Sequence, residues 1–91
     1  MRLVFSQQFV DRLHEIHAYV SQHNPRAARA QVQLLRQAAK RLRSFPHLGH
    51  PAAVVGTRDL KVPGTPFLLR YRVGTDVIEM LAIFHERQRR D

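Results

Sequence analysis

The dipeptide Asn24-Pro25 constrains this chain more than any other feature. The proline ring fixes its own φ, removes a backbone donor and pushes the preceding residue out of the helical region. A helix approaching this point must end near His23. A new one can begin at once, because Asn caps helices and Pro suits the first helical position. Upstream, Phe9, Leu13, Ile16 and Val20 recur at steps of four, three and four, the apolar face of a helix, with Ser6 where its N-cap belongs. Downstream, Ala28, Val32, Leu35, Ala39 and Leu42 form a second stripe of the same kind. Two amphipathic helices joined without a linker are expected to pair as an antiparallel hairpin.

The flanking segments read as strands. Leu3-Val4-Phe5 is a short first strand. Phe45-Pro46-His47-Leu48-Gly49-His50-Pro51 ends the second helix, since two prolines and a glycine forbid its continuation. Residues 52–57 read as a loop, with His47 and His50 as exposed turn residues. Residues 58–62 alternate polar and apolar, as a half-buried strand does. Residues 67–73 place Phe67, Leu69, Tyr71 and Val73 on one face and Leu68, Arg70 and Arg72 on the other. Residues 77–84 are apolar on both faces, as in a central strand. Short turns at 63–66 and 74–76 make the last three strands an antiparallel meander. The expected fold is α+β, a single domain over residues 1–91: an N-terminal strand, an antiparallel helix hairpin and a three-stranded meander, with the helices packed on one sheet face.

Charge narrows the range of functions. Fifteen Lys and Arg face seven Asp and Glu, for a net charge of +8, so a polyanionic or acidic partner is expected. With no cysteine there is no thiol nucleophile and no disulfide, which suits the cytoplasm. The opening residues are too soon polar for a signal peptide, and no run approaches the ~18 apolar residues of a membrane span. His14-Glu15-Ile16-His17 falls short of the zinc-protease spacing H-E-x-x-H and reads as surface histidines, so no metal or cofactor is expected.

The order of elements resembles the RelE/ParE toxin superfamily over essentially the whole chain. Four local patterns carry the resemblance. Ile16-His17-Ala18-Tyr19-Val20 followed by Asn24-Pro25 and Ala27-Ala28 resembles the family's opening. Phe45-Pro46-x-Leu48-Gly49-x-Pro51 resembles its corner. Arg58-x-Leu60-x-Val62 with Leu69-x-Tyr71-Arg72-Val73 resembles its strand pair. Ile83-Phe84-His85-x-Arg87 resembles the ending of ParE-like members. The resemblance implies a type II toxin neutralised by a cognate acidic antitoxin. The ParE-like branch implies poisoning of DNA gyrase, with no catalytic residue of its own. The alternative is a metal-free endoribonuclease acting on mRNA in the ribosome, for which Arg70, Arg72 and His85 would supply cations and an acid/base. Leu68 where that branch carries an Arg, and Glu86 where it often carries a Tyr, weigh against it. A plain nucleic-acid-binding module is a second alternative, without a recognition helix or stacking aromatics to support it.

Two surfaces are singled out. Arg29, Arg36, Lys40 and Arg43 fall together on the second helix, beside its apolar stripe: either a solvated face or the docking strip for the antitoxin. Arg70 and Arg72, with Arg58 joining them if register permits, line the sheet face away from the helices. Together with His85, Arg87, Arg89 and Arg90 they are the expected target-binding residues. The competing role for charges on a bare sheet face is to prevent aggregation. Tyr71 is expected in the core.

Overall fold

The computed structural model describes residues 1–88. The chain runs β1 (Arg2–Phe5), α1 (Gln7–Ser21), α2 (Pro25–Arg41), β2 (His50–Pro51), β3 (Thr57–Lys61), β4 (Phe67–Val73), β5 (Val77–His85) and a short 3-10 turn (Glu86–Gln88). Both helix starts are capped as their sequences predict. The Ser6 side chain accepts the Phe9 N–H at 3.0 Å, and Asn24 accepts that of Ala27 at 3.0 Å, with Pro25 next. The Ser6 hydroxyl also donates to the Leu81 carbonyl at 2.8 Å, so one residue both starts α1 and ties it to β5.

The expected meander is the middle of a larger sheet. Five strands lie in the order β1-β5-β4-β3-β2. β1 joins β5 in parallel, which the intervening helix hairpin permits as a crossover. The segment read as turn contributes β2, which pairs His50 with Asp59 and Pro51 with Arg58 at the far edge. Proline suits that position because an edge strand has no further neighbour to bond.

The core lies between the helices and one sheet face. Phe9, Leu13 and Ile16 of α1, with Leu35, Ala39 and Leu42 of and after α2, meet Leu69, Tyr71, Ile78, Met80 and Ile83. Tyr71 is fully buried there, as expected. Its hydroxyl donates to the Pro46 carbonyl at 2.8 Å and accepts the Gly49 N–H at 2.9 Å. Gly49 has no room for a side chain, since a Cβ there would sit 2.7 Å from the Asp59 carbonyl oxygen and 2.9 Å from the Tyr71 hydroxyl. The Phe45–Pro51 corner is therefore a docking device for the core tyrosine as well as a helix stop.

A register shift interrupts β4–β5 pairing: Arg70 faces Ala82 but Tyr71 faces Met80, leaving Leu81 as the extra residue. Alternation along β5 is reversed beyond this bulge. Ile78 and Met80 point to the helices, and after Leu81 so do Ile83 and His85, which pair with Leu69 and Phe67. The bulge is one reason the β5 sequence is apolar on both faces.

Candidate functional site

Three of the four cations predicted on α2 assemble around one groove, although α2 ends at Arg41 and Arg43 lies in the turn that follows it. Its walls are the edge strand β1, α1 and α2, and it encloses about 570 Å³. Leu3, Phe5, Val10 and Leu13 form an apolar floor, and Arg2, His14, Arg36, Lys40 and Arg43 surround it. Phe5 stays 43% exposed even with its ring 5.5 Å from that of Phe9. Arg29 lies outside this groove but lines a neighbouring one of about 480 Å³, with His17, Arg36 and Lys40. Among the described residues, no carboxylate lines either groove. Among the described residues, no ion pair forms to Arg29, Arg36, Lys40 or Arg43. The Arg43 Nε does donate to the Met1 carbonyl at 3.0 Å, which fastens the turn after α2 to the start of β1.

The groove residues outside α2 were not evident from sequence. Leu3 and Phe5 read as an ordinary strand and His14 as a surface histidine, and Arg2 carries no signal of its own. They become a site because β1 lies at the sheet edge, where no further strand among the described residues pairs with it.

The predicted target-binding set does not form one surface. Arg58 faces Tyr71 across β3–β4, so it projects to the face opposite Arg70 and Arg72. Its Nε donates to the Gly49 carbonyl at 3.0 Å and its Nη2 to the His47 carbonyl at 3.2 Å, holding the corner. Arg70 does lie on the outer sheet face, but it is not displayed there. It forms two hydrogen bonds with Asp59, Nε to Oδ1 at 2.8 Å and Nη2 to Oδ2 at 2.9 Å, in a pair 19% and 2% exposed. Its guanidinium also stacks 4.7 Å above the centre of the Phe84 ring. This face is thus partly closed over Asp59, Leu68 and Ala82, all buried.

His85 is on the helix side because of the bulge. It packs edge-on against Phe67 at 5.6 Å, in a cleft shared with Arg12, Glu15, Ile16, Tyr19 and Val20. Its Nδ1 accepts the Arg87 N–H at 3.1 Å. Only Arg72 of the sheet-face set is exposed on that face without an ion pair among the described residues. Arg87 is exposed in the 3-10 turn, and Arg89 and Arg90 lie outside the described residues.

Taken together, the fold and its surfaces define a small basic α+β domain that presents a cation-rimmed apolar groove. Arg70, Arg72 and His85 do not converge on a common reacting position. Comparison with known proteins gives the particular family. Residues 3–90 match the family described as ParE toxin of type II toxin-antitoxin system, parDE, and the chain belongs to that family. A Sinorhizobium fredii protein described as a candidate toxin, Y4kP, is 32% identical over 87 residues, covering 96% of this chain and 90% of that protein. A solved chain from the chromosomal ParDE toxin–antitoxin system of P. aeruginosa superposes with a TM-score of 0.83 at 28% identity, covering 93% of this chain and 95% of that one. This protein is thus a ParE-type toxin. Among the described residues, no helix is long and apolar enough to cross a membrane.

Proposed function

We propose that this toxin arrests growth by poisoning DNA gyrase and is neutralised by an acidic antitoxin segment seated in the α1–α2–β1 groove. The observation that carries the antitoxin half is the groove itself: an apolar floor ringed by Arg2, Arg36, Lys40 and Arg43, with no carboxylate among the described residues that line it. An amphipathic segment bearing Asp or Glu matches it, apolar side chains on Leu3, Phe5 and Leu13 and carboxylates on the rim. A phosphate backbone would use the rim and leave the floor exposed, so a peptide fits better than a nucleic acid.

The gyrase half rests on family membership and on the dispersal of the ribonuclease candidates. Arg70 is engaged with Asp59, and His85 lies across the sheet from Arg70 and Arg72. An endoribonuclease needs its cation and its proton-transfer group around one phosphate.

Two measurements test these halves separately. Purified bacterial gyrase should lose plasmid supercoiling, with cleaved plasmid accumulating, when this protein is added. Unaffected supercoiling by a folded sample would remove the gyrase reading. The double charge reversal Arg36→Glu/Lys40→Glu should weaken binding of the cognate antitoxin by about 100-fold, through like-charge contacts at the rim. Unchanged affinity would place the antitoxin elsewhere.

A further inference from the structure

The β2–β3 hairpin carries a feature that the groove does not explain. From Pro51 to Gly56 the sequence is Pro-Ala-Ala-Val-Val-Gly, without one polar side chain. Val55 is 94% exposed and Val54 57% exposed, and Pro51 and Ala53 are exposed as well. Single exposed apolar residues are ordinary, but adjacent β-branched residues are unusual at a tight turn, where Gly, Asn, Asp and Ser dominate.

The turn is also well braced. Thr57 donates both its N–H, at 3.1 Å, and its hydroxyl, at 2.7 Å, to the Val54 carbonyl. The Ala52 N–H closes the hairpin on the Thr57 carbonyl at 2.9 Å. Gly56 adopts a φ of 86°, which the valines beside it could not adopt without strain. The two valines are thus held out from the protein by a turn with its own hydrogen bonds. Arg72 lies beside them: its Nε is 4.0 Å from where a Gly56 Cβ would be.

We infer that this hairpin tip is a wedge by which the toxin enters an apolar pocket on its target protein, with Arg72 meeting a carboxylate at the pocket rim. The inference rests on the reading of the protein as a poison of a protein target, gyrase. Charge selects the occupant. A cation with no ion pair among the described residues, on a chain of net charge +8, favours an acidic rim. It disfavours a second copy of this chain, which would bring like charges together. The wedge and the antitoxin groove sit at opposite edges of the sheet, β2 and β1, about 19 Å apart at ordinary strand spacing. Target and antitoxin therefore use separate residues.

The test is the variant Val54→Ser/Val55→Ser, with Arg72→Glu as an independent second variant. Both change exposed side chains, and an unchanged circular dichroism spectrum and melting midpoint establish that each is folded. In the supercoiling assay each should need at least about tenfold more protein for the same inhibition, because a buried valine at an interface contributes on the order of a tenfold factor. Their affinity for the cognate antitoxin should match the parent's. Inhibition equal to the parent's by both folded variants overturns the wedge. So does a parent that dimerises in sedimentation while the valine variant stays monomeric, since the tip would then serve a second copy. If the parent leaves gyrase untouched, the gyrase reading fails on its own, and growth arrest on expression decides the wedge. A valine variant as toxic as the parent overturns it, and one that has lost toxicity supports it against another protein target.

Discussion

Two groups of basic residues in this molecule look alike in sequence and differ in what surrounds them. Arg58 and Arg70 are enclosed. One grips the carbonyls of His47 and Gly49, and the other is locked to Asp59 and stacked on Phe84. Arg36 and Lys40 stand on the rim of an apolar groove with no acid beside them among the described residues. An arginine whose donors are already occupied by the fold contributes to stability and is costly to redirect to a partner. A cation held near an apolar floor with nothing to pair has its electrostatic energy still to be realised on binding.

The contrast can be broken most directly at Arg70. Arg70→Ala leaves the buried Asp59 carboxylate without its bidentate partner and should cost about 3 kcal/mol or more of unfolding free energy, read by urea denaturation. Asp59→Ala added to that background should cost little more. A wild-type midpoint in Arg70→Ala would show that this arginine is as dispensable to the fold as those of the groove. Next in size is Tyr71→Phe, which strands the buried Gly49 N–H and takes the donor away from the half-buried Pro46 carbonyl. About 1–3 kcal/mol is expected, in the same measurement. Ser6→Ala removes a helix cap and the tie to Leu81, for about 1 kcal/mol. Smallest is Arg36→Ala/Lys40→Ala, which should shift stability by no more than about 0.5 kcal/mol while weakening antitoxin binding and flattening its salt dependence. A large loss of stability there would erase the distinction between the two groups.

Simple alternation and nearness in the chain place Arg58, Arg70, Arg72 and His85 in one group. Two long-range details separated them. The β3–β4 register set Arg58 opposite Tyr71 and Asp59 opposite Arg70. The bulge at Leu81 turned His85 to the helix side. Helical periodicity is enough to bring Arg36 and Lys40 together on α2, whereas Arg43 joins them from the turn after the helix and Arg29 lies outside the groove. The apolar floor of the groove was not legible, because that depends on where β1 lies.

The caps at Ser6 and Asn24, the break at Pro25, the two apolar stripes and the alternation of residues 67–73 determined the helices, the central strands and the face that Tyr71 would bury. Each of these is settled among residues a few positions apart, by dihedral preference, local hydrogen bonding and side-chain period. The tertiary structure alone decided the parallel pairing of β1 with β5, the engagement of Arg70 by Asp59, the open groove and the projecting valines. Those depend on register and strand order between segments far apart in the chain, where a one-residue shift exchanges the two faces of a sheet and leaves the local signals unchanged.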